Sequence, residues 1–288
     1  MSLPLTPLVI VGAGRSGTNL LRDMLTALPG YETWRCDEIQ PIWRHGNITV
    51  PHDALRPEHA RPEVRRFIRE AFERVWREEG RPPVVVEKTC ATTLRVAFVA
   101  SILPEARFVH LVRNGRSVVP SAMKRWRGEL EVPSLSYFAS KVRYTPLRDL
   151  PIYGASFLAN RLTLVRGQRR MRRWGPWPEG FEERIERRPL EEVCAMQWAA
   201  CVTEARAQIA DLPSKASIEI AYEDLVRDPV AQLERAVHHA GHDVSFEDIA
   251  RATVMVRSGS GRSSVPLSPA ADAIVAAAAP LESAGAIQ

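Results

Sequence analysis

The sequence predicts an α/β fold, a mostly parallel sheet with helices on its faces. Two observations carry that expectation: short β-branched runs recur along the chain, and each is followed by apolar residues at helical spacing. Strands alternating with helices in this way pair in parallel and are covered on both sides. Apolar residues make up 45% and charged residues 25% of the 288, which is ordinary for a globular protein and excludes a fibrous or disordered chain. One domain spanning 1–288 is expected, with its core over about 7–265.

Leu8 to Val11 is the first strand; it ends in Gly12, and Leu20, Leu21, Met24, Leu25 and Leu28 then recur at helical spacing. Val84 to Glu87 is the second strand, before a helical pattern through Leu94 to Leu103. Phe108 to Val112 is the third, before Val118 to Trp126, and Ile218 to Tyr222 is the fourth, before a helix from Leu225 to His239. Between the third and fourth strands, about 134–209 reads as a helical insertion, and the Ala-rich tail over 270–288 reads as a weak helix or disorder.

Of the 39 basic side chains 35 are Arg and four are Lys, on a net charge of +5, so Lys88 and Lys124 stand out as positions that want a compact ammonium. The arginine-dense stretch Arg161 to Arg188, around Trp174 and Trp177, has the makings of a nucleic-acid site, but a solvated helix face followed by a Pro-Gly loop explains it as well, and no nucleic-acid partner is expected. No run reaches the ~20 apolar residues a membrane helix needs and no leader is evident, so a cytoplasmic protein is expected. Cys194 and Cys201 lie seven apart in a helical pattern, too far to bridge, and there is no CxxC. His238 and His242 are four apart but separated by a helix end at Gly241, so no metal is expected.

Gly12-Ala13-Gly14-Arg15-Ser16-Gly17-Thr18-Asn19 lies where open α/β sheets bind ligands, beyond a strand's carboxyl end and at a helix N-terminus that favours an anion. The spacing of Gly12, Gly14 and Gly17, with Asp37 and Glu38 some way on, meets a dinucleotide fingerprint and so allows a Rossmann-type FAD or NAD oxidoreductase. Against it, Glu32 to Cys36 is a poor second core strand and Arg15 has little use there. A nucleotide triphosphatase loop needs a Lys where Thr18 stands.

The third reading explains more residues. Residues 15 to 21, Arg-Ser-Gly-Thr-Asn-Leu-Leu, resemble the 5'-phosphosulfate loop of sulfotransferases that use 3'-phosphoadenosine-5'-phosphosulfate (PAPS), with Asn19 in place of a second Thr. Phe108 to Arg125 resembles the same family's 3'-phosphate element, in which an Arg and a Ser eight residues later hold the phosphate; here these are Arg113 and Ser121, and likeness to protein-tyrosine sulfotransferases adds Arg125. Tyr222-Glu223-Asp224-Leu225 resembles a late family signature whose tyrosine contacts adenine. The Ser-Gly-Ser-Gly-Arg run at 258–262 matches only loosely the loop the family closes over the nucleotide.

The resemblance implies a P-loop-like three-layer core, donor binding by Arg15, Ser16, Gly17, Thr18, Asn19, Arg113, Ser121, Arg125 and Tyr222, and sulfuryl transfer from PAPS to a hydroxyl with adenosine 3',5'-bisphosphate (PAP) as product. It assigns Arg15 and Lys88 as electrostatic stabilisers. Small-molecule sulfotransferases carry Lys-Thr-His where this chain has Lys88-Thr89-Cys90, and an ordinary thiol is a poor base at neutral pH. Protein-tyrosine sulfotransferases instead place a Glu in an Arg-Cys-acidic-Glu context, matched by Arg35-Cys36-Asp37-Glu38, so Glu38 is the expected base. His45 and His52 are candidates to line the acceptor pocket. The acceptor class is left as small molecule, carbohydrate or tyrosine-like; a homodimer and a non-enzymatic nucleotide- or RNA-binding module stay open.

Overall fold

A computed structural model of the chain describes residues 2–129, 142–155, 158, 171–256 and 266–278. Five strands, β1 (Thr6–Val11), β2 (Tyr31–Thr33), β3 (Val84–Lys88), β4 (Arg107–Val112) and β5 (Ser217–Ala221), form one sheet in the order β2-β3-β1-β4-β5, with every neighbouring pair parallel. β1 is central and its apolar run is continuous because helices cover both faces. Leu8 and Ile10 pack on one side with α1 (Thr18–Thr26), while Val9 and Val11 pack on the other with α2 (Gln40–Arg44), α3 (Pro62–Glu78) and α4 (Val96–Ile102). These are the three layers that the sequence pattern implies.

Four of the strands are those read from the sequence, to within a residue or two. The fifth, β2, overlaps the segment judged too weak for a core strand. It is three residues long and lies at the sheet edge, where fewer packing demands apply; Thr33 Oγ1 donates to Val86 O at 2.7 Å and helps hold it there. The helix expected over Leu94 to Leu103 is α4, starting two residues later, and a 3₁₀ turn over Cys90–Leu94 precedes it, separated from it by Arg95, whose φ of −150° is not helical.

Past α5 (Gly115–Trp126), the described part of the insertion contains the short α6 (Phe181–Ile185) and the 21-residue α7 (Leu190–Ala210); residues 134–141, 156–157 and 159–170 lie outside the described residues. Trp177 is buried, its ring 6.2 Å from that of the fully buried Trp126 and 5.2 Å from Phe181, so it belongs to a core and offers no stacking face to a nucleic-acid base. The helix read from Leu225 to His239 is two, α8 (Tyr222–Arg227) and α9 (Pro229–Ala240), because Pro229 cannot continue a helix but starts one well, with Asp228 capping it by accepting from the Ala231 N–H at 3.2 Å. After α10 (Phe246–Thr253), the start of the tail forms α11 (Pro269–Ala278), docked by Ala271 and Val275 beside α5 and α7; 279–288 and the 258–262 run lie outside the described residues. No helix among the described residues is long and apolar enough to cross a membrane.

Candidate functional site

Because all five strands are parallel, the ends of β1, β3, β4 and β5 share one edge of the sheet, and the loops that follow them carry almost every residue singled out above. The chain leaves β1 toward β2 and β3 on one side and reaches β4 and β5 on the other, so the crevice between β1 and β4 is where the topology opens to a ligand.

The loop after β1 is built for close approach. At Gly12 a Cβ would come within 2.8 Å of Leu111 O on β4. Gly17 has φ +90° and a Cβ there would lie 2.3 Å from the Tyr222 ring. Arg15 also takes positive φ, 72°, a conformation that side-chain-bearing residues adopt at some cost in strain. No side chain caps α1, so the N–H groups of its first turn are open to an anion. Beside them Ser16 is buried and its Oγ has no hydrogen-bond partner, the expected condition of a hydroxyl reserved for a ligand. Thr18 is buried with its Oγ1 3.9 Å from Cys90 Sγ, and Asn19 is exposed in the first turn.

The two cassettes, about a hundred residues apart in sequence, meet here. Arg15 Nε donates to Ser121 Oγ at 2.9 Å, and Arg113 Nη1 donates to the Arg15 carbonyl at 3.2 Å. The Arg113 guanidinium stands 4.3 Å over the ring of Tyr222, which begins α8 just past β5. Burial first, then the charges of Arg125 and Arg113, pull Arg15 below the usual arginine value. Three guanidinium groups near enough to repel one another are what a multiply charged anion would relieve. Tyr222, itself buried, forms a wall between Gly17 and Arg113.

Gly17→Ala is expected to destabilise the fold by roughly 1–2 kcal/mol for the left-handed backbone and a further ~1–3 kcal/mol for overpacking the Tyr222 ring. Thermal melts of Gly17→Ala with and without Tyr222→Ala separate the two: the double variant should recover only the ring contribution.

A second group forms where β3 ends. Lys88 is buried and its Nζ lies 2.8 Å from Asp37 Oδ1 and 3.3 Å from Glu38 Oε1; Cys90 N donates to the same Glu38 oxygen at 3.2 Å, and Arg22 Nη1 grips Asp37 Oδ1 at 2.6 Å. Burial works against the Lys88 ammonium, but Glu38 and then Asp37, by charge and by hydrogen bond, outweigh it and hold its pKa above the usual value. Burial likewise pushes Asp37 up, and Lys88 with Arg22 more than reverse this. Burial and then Glu38 drive the Cys90 thiol well above its usual range, so it carries no thiolate at neutral pH. Cys90 connects the two groups through Thr18.

The sequence reading missed Arg22, Thr89 and the partnership of Asp37 with Lys88. Arg22 follows Thr18 by four, one helical turn, which is the signal that would have found it. His45 is fully engaged, Nδ1 2.6 Å from Asp149 Oδ2 and Nε2 2.6 Å from Arg148 Nη2, which ties residues 148–149 to α2; His52 lies 3.8 Å from Glu179. Among the described residues no group of three His, Cys, Asp or Glu is arranged to hold a metal ion.

Residues 7–168, more than half of the chain, match the family model described as the sulfotransferase family. No curated protein sequence matches the chain. Among solved structures, the sulfotransferase domain from the curacin biosynthetic pathway superposes with a TM-score of 0.50 at 13% identity, covering 96% of this chain and 98% of that one. The sulfotransferase domain of the Synechococcus PCC 7002 olefin synthase gives 0.50 at 15%, covering 95% and 94%, and a sulfotransferase from Mycobacterium avium gives 0.51 at 12%, covering 87% and 67%. At these identities the likeness is one of fold.

Proposed function

Since the chain belongs to the sulfotransferase family, we propose that it transfers a sulfuryl group from PAPS to an acceptor hydroxyl by in-line displacement, with Glu38 as base. The observation that carries this reading is the meeting of the two phosphate-type cassettes: Arg15 on Ser121, Arg113 on the Arg15 carbonyl, and an unpartnered buried Ser16 hydroxyl beside an uncapped helix. One anionic ligand bearing phosphates at two positions would use all of these at once.

In this reading Ser16, Gly17, Thr18 and Asn19 hold the 5'-phosphosulfate at the start of α1, and Arg113, Ser121 and Arg125 hold the 3'-phosphate, with Tyr222 closing the wall between them. Glu38 takes the acceptor proton as the acceptor oxygen forms its bond to sulfur. The bond from sulfur to the 5'-phosphate oxygen breaks, and Arg15 with Lys88 neutralises the charge that gathers on that oxygen. Lys88 lies against Glu38, so a single ammonium serves both the base and the departing side. A cytoplasmic setting, absence of a metal, and an acceptor among small molecules, carbohydrates or tyrosine-like phenols complete the proposal.

Thermal stabilisation by PAP, with ATP and NAD as controls, tests donor recognition. At a hundredfold excess over its dissociation constant PAP should add about 2.7 kcal/mol, and Arg113→Ala should lose that gain while the unliganded melt changes little. A response to NAD alone, or to none of the three, would refute the reading.

A further inference from the structure

One buried acid has no part in the scheme above. Glu87 sits in β3, in register with Val9 of the central strand, in a run whose other side chains up to Val86 are apolar, and it is wholly buried. A carboxyl in the middle of a sheet costs several kcal/mol of desolvation unless its partners repay it. Its neighbours are few and specific. Thr89 Oγ1 donates to Glu87 Oε1 at 2.6 Å while Oε2 has no hydrogen-bond partner among the described residues; Trp43 and Arg95 favour its charged form and Glu38 opposes it. Arg95 is itself fully buried and donates through Nη2 to Gln40 Oε1.

The Thr89 hydroxyl that donates to Glu87 also accepts the N–H of Ile39 at 3.2 Å. Ile39 directly follows Glu38 and is the N-cap of α2, while the next residue after Thr89, Cys90, donates its N–H to the Glu38 carboxylate. Thr89 therefore holds the peptide that joins Glu38 to Ile39 and Cys90 holds the Glu38 side chain, and Glu87 fixes the direction of the Thr89 hydroxyl. With the donor half of that hydroxyl spent on Glu87, its lone pairs are turned to Ile39.

We propose that Glu87 is a positioning residue for the base: through Thr89 it sets where Glu38 stands, and through its own charge it sets how readily Glu38 takes the acceptor proton. The inference rests on the reading of Glu38 as base. Burial, opposed by Thr89, Trp43 and Arg95 and reinforced by Glu38, pushes Glu87 up to about 7. Ionised Glu87 repels negative charge on Glu38 and so favours proton uptake there; neutral Glu87 does not. Turnover is then expected to rise as pH climbs through neutrality.

The experiment uses radiolabelled PAPS and the best acceptor found in a panel of aliphatic alcohols and sugars, none of which ionises in the range, and measures kcat and KM from pH 5.5 to 9 (about two units either side of neutral). Glu87→Gln keeps the shape and an oxygen for Thr89 but no charge; its kcat should lack the rise through neutral pH, with KM for PAPS and stabilisation by PAP unchanged. Thr89→Val should lower kcat by up to about 100-fold, the scale of a misplacement near 1 Å, and Thr89→Ser, which restores the hydroxyl, should recover most of it. A wild-type pH profile in Glu87→Gln, or equal losses in Thr89→Val and Thr89→Ser, overturns the inference while Glu38→Gln still shows its large loss of kcat. Full turnover in Glu38→Gln would instead remove the base reading, and the inference with it.

Discussion

Glu38→Gln is expected to lower kcat by roughly 10²–10⁴-fold, the usual contribution of a positioned general base, while leaving stabilisation by PAP intact. The amide oxygen can still accept from Lys88 Nζ and from Cys90 N, at 3.3 and 3.2 Å from Oε1 in the wild type, so the site should keep its shape and lose only its proton acceptor. Among the described groups beside it, the Cys90 thiol is held protonated by burial and by Glu38, Lys88 is held as an ammonium, and the Asp37 carboxylate is taken up by Lys88 and Arg22, which lower its affinity for a proton. The measurement that isolates the chemistry compares acceptors. A phenol acidic enough to be ionised at neutral pH needs no base and should lose little in the variant, whereas an aliphatic alcohol should lose the full factor. An equal loss for both would point to a structural role for Glu38.

Arg15→Gln is expected to cost about 10²–10³-fold in kcat, as removal of one preorganised group facing transition-state charge does elsewhere. Arg15 is the residue through which the two halves of the site communicate: its Nε donates to Ser121 and its carbonyl accepts from Arg113. Its backbone already stands at positive φ, so a substitution changes the side chain without adding backbone strain. Glutamine retains a donor for Ser121 but carries no charge, so PAP should still stabilise the protein, less strongly, while turnover collapses. Arg15→Lys, which returns a cation on a compact head, should recover part of kcat. Loss of PAP stabilisation in step with kcat would instead assign Arg15 to donor binding alone.

Much of this arrangement could be read in the sequence because it depends on local chemistry. The glycines of the first loop are required by a backbone that passes within contact of β4 and Tyr222, and such positions stand out in any sequence. The strand-turn-helix units announce themselves through apolar runs and helical spacing, since both faces of a central parallel strand must be covered. Arg113 and Ser121 are eight residues apart on one strand end and the helix that follows, so their spacing survives in the linear chain.

Other features were hidden for identifiable reasons. β2 is three residues long and held at an edge by pairing with β3 and by the Thr33 hydroxyl, neither of which has a sequence pattern of its own. The 3₁₀ turn over Cys90–Leu94 ahead of α4, and its separation from α4 at Arg95, are marked by no proline or glycine. The arginine-rich stretch around Trp177 was open to two readings, a solvated helix face followed by a loop or a nucleic-acid site, and neither anticipated that Trp177 would pack in a core against Trp126 and Phe181. The ion pairs of Lys88 join residues about 50 positions apart, which no local rule anticipates.

By itself, then, the sequence determined the class of fold, the strand-loop-helix units and the anion-seeking character of the first loop, because each follows from propensity, periodicity and turn chemistry within a short window. Tertiary structure alone decided that Arg15 would rest on Ser121, that Lys88 would lie between Asp37 and Glu38, and that Glu87 would reach Ile39 through Thr89. Those contacts depend on the order in which the parallel strands are laid down, and strand order is set by the burial of whole faces rather than by any one segment.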